Sequence, residues 1–144
     1  MGSWDRTDAN RCVRASLFGS FGQLDGTAGI VSGTDHVLIN YTRSADELSW
    51  TQTVTNAITG AALSSFTHDS GPMTGYGTGT ECDNGCSGTI AAQQYLSTTI
   101  ILEEADPDFG NTLDVSGGTT YTGLTSEEGG RIWKIAQIDI PAMA

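Results

Sequence analysis

The stretch Leu48-Ser49-Trp50-Thr51-Gln52-Thr53-Val54-Thr55-Asn56 reads as two interleaved rows. Leu48, Trp50, Gln52 and Val54 fall on one side, and Ser49, Thr51, Thr53 and Thr55 fall on the other. A period of two is that of a β-strand with one face covered and one wetted, and β-branched Thr and Val suit a pleated surface. After the short turn Ala57-Ile58-Thr59-Gly60, the run Ala61 to Thr67 completes a predicted hairpin. Upstream, His36 to Arg43 alternates in the same way, with Val37, Ile39 and Tyr41 against His36, Leu38, Asn40 and Thr42. Near the other end, Arg131 to Ile140 is the strongest strand, expected to place Ile132, Ala136, Ile138 and Ile140 on one face and Trp133 and Ile135 on the other.

Further strands are predicted at Cys12 to Phe18, near Gly29 to Ser32, at Thr89 to Leu96 and at Thr98 to Glu103, the last holding the apolar run Ile100-Ile101-Leu102 expected of a central strand. Glycines at 19, 22, 26 and 29 punctuate the first third. No segment keeps a helical period over three turns, and no internal repeat is visible. Short antiparallel strands joined by Gly-rich turns predict an all-β antiparallel sandwich or jelly roll. A chain of 144 residues is of ordinary single-domain size, so one domain spanning residues 1–144 is expected.

The charge balance narrows the partners. Six Lys and Arg face 17 Asp and Glu, a formal net charge of -11, which disfavours nucleic acid and anionic membranes because both are held by clustered cations. Neutral glycans and other small molecules stay open as ligands, and an acidic surface also keeps a chain soluble. No apolar stretch approaches the ~18 residues a membrane span needs. Cys82 and Cys86 bracket Asp83-Asn84-Gly85, close enough for a bridge that fixes a loop, leaving Cys12 over. With the sequon Asn40-Tyr41-Thr42, this predicts an exported glycoprotein modified at Asn40. The odd Cys12 and the abrupt start, without a basic and apolar leader, fit a mature chain lacking an N-terminal segment.

Residues able to carry chemistry are few. His36 and His68 are the only imidazoles, read as solvated polar groups, and no Ser sits in a Gly-x-Ser-x-Gly elbow, so a Ser-His-Asp enzyme is not expected. Carboxylates are the better acid-base candidates: Glu103 and Glu104 end a predicted strand, and Glu81 lies in the cysteine loop. Glycoside hydrolysis needs two carboxylates about 5 to 9.5 Å apart. Neighbours on a strand point to opposite faces, so Glu103 would need Glu81 or Asp106 as its partner. Asp106, Asp108 and Asn111 gather hard oxygens in a turn, the donor type Ca²⁺ takes, although an Asx-stabilised turn uses the same residues and no other cofactor is indicated. The loop His68 to Gly88 holds Gly75-Tyr76-Gly77-Thr78-Gly79-Thr80, where flanking glycines leave the Tyr76 ring uncovered and suited to stacking. Tyr95 is a second flat ring for a ligand, whereas Trp50 and Trp133 alternate with apolar neighbours and read as core. The ligand-contact set is therefore Tyr76, Glu81, Tyr95 and Glu103.

Leu48 to Phe66, strand-turn-strand, resembles the corresponding unit of fungal secreted jelly rolls, the concanavalin-like sandwiches and the glutamic peptidases called eqolisins. The resemblance implies a jelly-roll fold. In eqolisins a Gln and a Glu do the work, and the comparable stretch Ala91-Ala92-Gln93-Gln94-Tyr95 carries Gln where that Glu stands, so the fold transfers and the peptidase activity does not. Two functions stay open. One is a binding protein for a neutral carbohydrate or similar small ligand. The other is an enzyme on the same scaffold, either a carbohydrate-active hydrolase or lyase, or a cofactor-free cyclase of fungal natural products that works by orientation. The pocket discriminates: an apolar cavity suits a cyclase, two facing carboxylates a glycosidase, and exposed rings on a rim a lectin.

Overall fold

The computed structural model describes residues 11–82 and 85–143. It is all-β and antiparallel, with one turn of 3₁₀ helix. The chain divides into two compact units, one running to Met73 and the other starting at Thr74.

In the first unit, β1 (Arg11–Val13), β2 (Ser16–Gly19), β3 (Gly22–Asp25) and β4 (Gly29–Val31) precede β5 (Val37–Arg43), β6 (Ser49–Asn56) and β7 (Ala62–Asp69). The last three form one sheet in the order β5-β6-β7. Its registers set Ile39 beside Val54 and Val54 beside Ser64, with Thr42, Thr51 and Thr67 in a row on the opposite face. The alternation expected for Leu48 to Asn56 is therefore present from Trp50 to Val54, although Leu48 precedes the strand and is exposed. The expected strand Cys12 to Phe18 is in fact two, broken at Arg14-Ala15, where β1 turns to pair β4 and β2 pairs β3. Cys12 is a free, half-buried thiol opposite Ile30.

Polar pins attach these small ribbons to the sheet. The buried Ser64 hydroxyl accepts from Ala15 N at 2.9 Å and donates to Thr27 O at 2.6 Å, and the Gln52 amide oxygen accepts from Ser16 N at 2.9 Å. Gly29 lies so close to β7 that a Cβ there would sit 2.4 Å from Leu63 O, a backbone approach that only glycine permits. His68 lies within β7, not in a turn, and its ring stacks on Phe66 with centroids 6.1 Å apart and lies 5.1 Å from Phe21. This corrects its placement at the start of a loop. His36 is exposed as expected.

The second unit comprises β8 (Gln93–Ile101), the 3₁₀ turn η1 (Phe109–Thr112), β9 (Thr120–Thr122), β10 (Thr125–Glu127) and β11 (Ile132–Ile140). β11 is central, with β8 on one side and β9 and β10 end to end on the other. Here the expected faces are wrong, because Trp133, Ile135, Ile138 and Ile140 are all buried while Ala136 is exposed. Residues 135 and 138 differ by an odd number and would lie on opposite faces of a regular strand. All three rows change phase at one level. Ser97 of β8 has φ 55°, Gly123 between β9 and β10 has φ 69° and packs on the Ala136 side chain, and Ala136 N donates to Gly123 O at 3.3 Å. One out-of-phase residue in each row re-aims the following side chains, so both ends of β11 present isoleucines to one side. The two strands expected at Thr89 to Leu96 and Thr98 to Glu103 are accordingly one strand kinked at Ser97.

Candidate functional site

The phase change creates the site. Trp133, Ile135, Ile138 and Ile140 from β11, with Ile100 from β8, floor a cleft of about 640 Å³ lined wholly by residues of the second unit. Its volume falls in the range of small-molecule sites. One wall is the glycine-rich loop from Thr74 to Thr80 that carries Tyr76, and another is Leu113 to Gly117. The Tyr76 and Tyr121 rings, 40% and 39% exposed, both line the cleft. They give it aromatic surface reachable from solvent. Asp114 is the one charged residue among the described residues that line it.

The walls are fixed by identifiable contacts. Trp133 donates its indole N–H to Gly130 O at 2.8 Å, and Phe109 tilts against it at 54° with centroids 6.0 Å apart. A Cβ on Gly110 would come within 2.5 Å of the Trp133 ring, so glycine is needed for the η1 turn to lie flat on the indole. Trp133 is therefore a clamped floor residue, as the core reading expected, while Trp50 is half-buried. Gln93 donates to the Thr80 hydroxyl at 2.8 Å, pinning the end of the Tyr76 loop to β8. The Cys82–Cys86 disulfide follows directly, with its Cα atoms 5.8 Å apart.

The remaining expected residues fall elsewhere. Tyr95 packs against the Ile135, Ile138 and Ile140 cluster and does not line the cleft. Glu81 and Glu103 are exposed and lie outside it. Asp106 accepts from Asp108 N at 2.9 Å, and Asp108 meets the Asn111 amide at 3.4 Å, which is the hydrogen-bonding of an Asx turn. Among the described residues no three His, Cys, Asp or Glu side chains gather to hold a metal ion. Asn40 is exposed on the Thr-bearing face of its sheet, its amide 3.1 Å from the Thr42 hydroxyl.

Sequence reasoning did not place Tyr121 or Asp114 in the ligand-contact set, and they reach the cleft through β9 and the loop before it. It also missed a polar cluster on the other side of β11. There Asp139 stands directly between Gln94 on β8 and Thr120 on β9. Its carboxylate accepts from Gln94 Nε2 at 2.8 Å and from Gln137 Nε2 at 2.8 and 2.9 Å. No local pattern signals such a cluster, since it depends on register across three strands.

No family model matches the chain, and neither does any curated protein or solved structure.

Proposed function

We propose that this chain is an exported binding protein for a small neutral ligand with a flat apolar face, a carbohydrate ring being the leading candidate, and that the ligand occupies the cleft beside Tyr76. The carrying observation is the cleft's makeup: two exposed tyrosines and a row of isoleucines, with several threonines and, among the described residues, one carboxylate in the lining. A sugar's C–H face suits such rings, and its hydroxyls suit the lining threonines. Hydrolysis by paired acids is not favoured, because among the described residues that line the cleft Asp114 is joined by no second carboxylate.

A glycan array followed by calorimetry tests the reading. Saturable binding of a neutral oligosaccharide, weakened about tenfold or more by Tyr76→Ala or Tyr121→Ala, is the expected result. Absence of binding to every neutral glycan, with Tyr76→Ala silent, would sink it. The isoleucine floor supports a second reading, an orienting enzyme that folds an apolar chain for cyclisation. In that case apolar polycyclic compounds bind in the cleft and glycans do not. Export and glycosylation at Asn40 belong to the same proposal, and a mass loss on glycosidase treatment, absent in Asn40→Gln, checks them.

A further inference from the structure

The polar cluster around Asp139 lies on the opposite face of β11 from the cleft, since Ile138 and Ile140 on either side of it point into the core. Asp139 and Gln94 line a shallow groove of about 400 Å³ together with Ala92, Gly118, Thr120 and Pro141, and Gln137 holds the carboxylate from outside that lining. Among the described residues no Lys or Arg pairs with Asp139. Its charge is instead met by three N–H contacts from two amides.

The hydrogen-bond inventory of this floor decides what it can hold. A carboxylate has about four lone-pair positions, so Asp139 keeps one acceptor position. Gln94 turns Nε2 towards the carboxylate, which leaves its amide a second N–H and a carbonyl oxygen at the groove. Donors and acceptors thus stand side by side, with Thr120 adding a hydroxyl. A cation finds the carboxylate already bonded by N–H donors, and an anion meets its charge. A hydroxyl pair on adjacent carbons donates to one neighbour and accepts from the next, matching the floor, while Ala92 and Pro141 offer small apolar contacts to the carbon skeleton.

We propose that Asp139 and Gln94, with Thr120 beside them and Gln137 holding the carboxylate, form a second binding site that takes the vicinal hydroxyl pair of a neutral polyol of monosaccharide size. This site does not rest on the cleft. The test is a titration of the isotope-labelled full chain with methyl mannoside, with vicinal cyclohexanediol and with cyclohexanol, following the side-chain amide resonances of Gln94 and Gln137. Saturable shifts of both amides by the diol and the glycoside at millimolar concentration, and none with cyclohexanol, are the expected result. Asp139→Asn and Gln94→Leu are each expected to weaken the response about tenfold or more, with the dispersion of the β11 backbone signals showing that the variants fold. The cleft variant Tyr76→Ala is expected to leave the response intact.

Unmoved amides, equal shifts with cyclohexanol, or undiminished binding in Asp139→Asn overturn the site. Glycoside binding that Tyr76→Ala abolishes, with both amides unmoved throughout, keeps the cleft reading and overturns this one. Amide shifts that persist without any cleft binding do the reverse.

Discussion

In the first unit β6 keeps a single phase from Trp50 to Val54, whereas in the second β11 changes phase at Ala136, and the two sheets use their covered faces differently as a result. The first sheet is tied to β1 through β4 by side-chain hydrogen bonds at Ser64 and Gln52, and Val54 is its one buried apolar residue. The second collects Trp133, Ile135, Ile138 and Ile140 on one face and leaves part of that face as the floor of a cleft. Polar pins fix a geometry without offering apolar surface. An apolar floor with glycine-rich walls offers a surface that a ligand can cover, and for that reason the second unit carries the candidate site.

The sharpest way to break this contrast is to remove the floor. Ile138→Ala deletes most of a side chain only 7% exposed, for an expected loss of about 2 to 5 kcal/mol, measured by denaturant unfolding. Ligand binding in the cleft is expected to weaken along with it. A loss below about 1 kcal/mol would mean that the isoleucine cluster is not the unit's core.

Ser64→Ala tests the other side of the comparison. The substitution removes only one oxygen, yet leaves Ala15 N without its partner in a buried place and Thr27 O without its partner in a partly buried one. An expected loss of about 1 to 3 kcal/mol follows from desolvated groups left unpaired, and amide exchange at Ala15 is expected to accelerate. An unchanged exchange rate there would show that the hydroxyl is not what anchors these strands.

How much of this was legible divides along the same line. Leu48 to Asn56 could be read because its alternation is unbroken between Trp50 and Val54, so a period of two finds both its faces. Arg131 to Ile140 could be read as a strand but not for its faces, because the phase change needs Ser97 and Gly123 from two other strands. β9 and β10 are three exposed residues each and take their place by pairing with β11, so nothing local marks them. Tyr76 was legible from its flanking glycines. Tyr121, Asp114 and Asp139 were not, since each acquires its setting from distant chain.

Ser97 allows the kink to be adjusted directly. A residue other than glycine at φ 55° carries a cost of about 1 to 2 kcal/mol, partly offset on mutation by glycine's greater unfolded-state freedom. Ser97→Gly is therefore expected to stabilise the second unit by at most about 1 kcal/mol, and Ser97→Val to destabilise it by a similar amount or more. The opposite order would show that β8 does not require a left-handed residue at this position, and the shared phase change would then need another cause.

The smallest expected effect lies in the tight turn joining β5 to β6. The Ser44 hydroxyl and, less strongly, Leu48 N–H donate to Asp46, holding its carboxyl below the ordinary carboxylate value. A carboxyl lowered in the folded state adds stability above its unfolded pKa, and that increment is lost as pH falls through the folded value. Because Asp46 is fully exposed, solvent screening keeps the increment small. Asp46→Asn is therefore expected to be slightly less stable than the parent at neutral pH, with the difference closing as pH drops through and below the ordinary carboxylate range. Paired unfolding curves across that range measure it, and a difference that widened on acidification would reverse the sign and remove Asp46 from the account of this turn. The second unit's turn at Glu128 to Gly130 relies instead on positive φ at three successive residues. Asp46→Asn is expected to leave the stability of the second unit unchanged across the same titration.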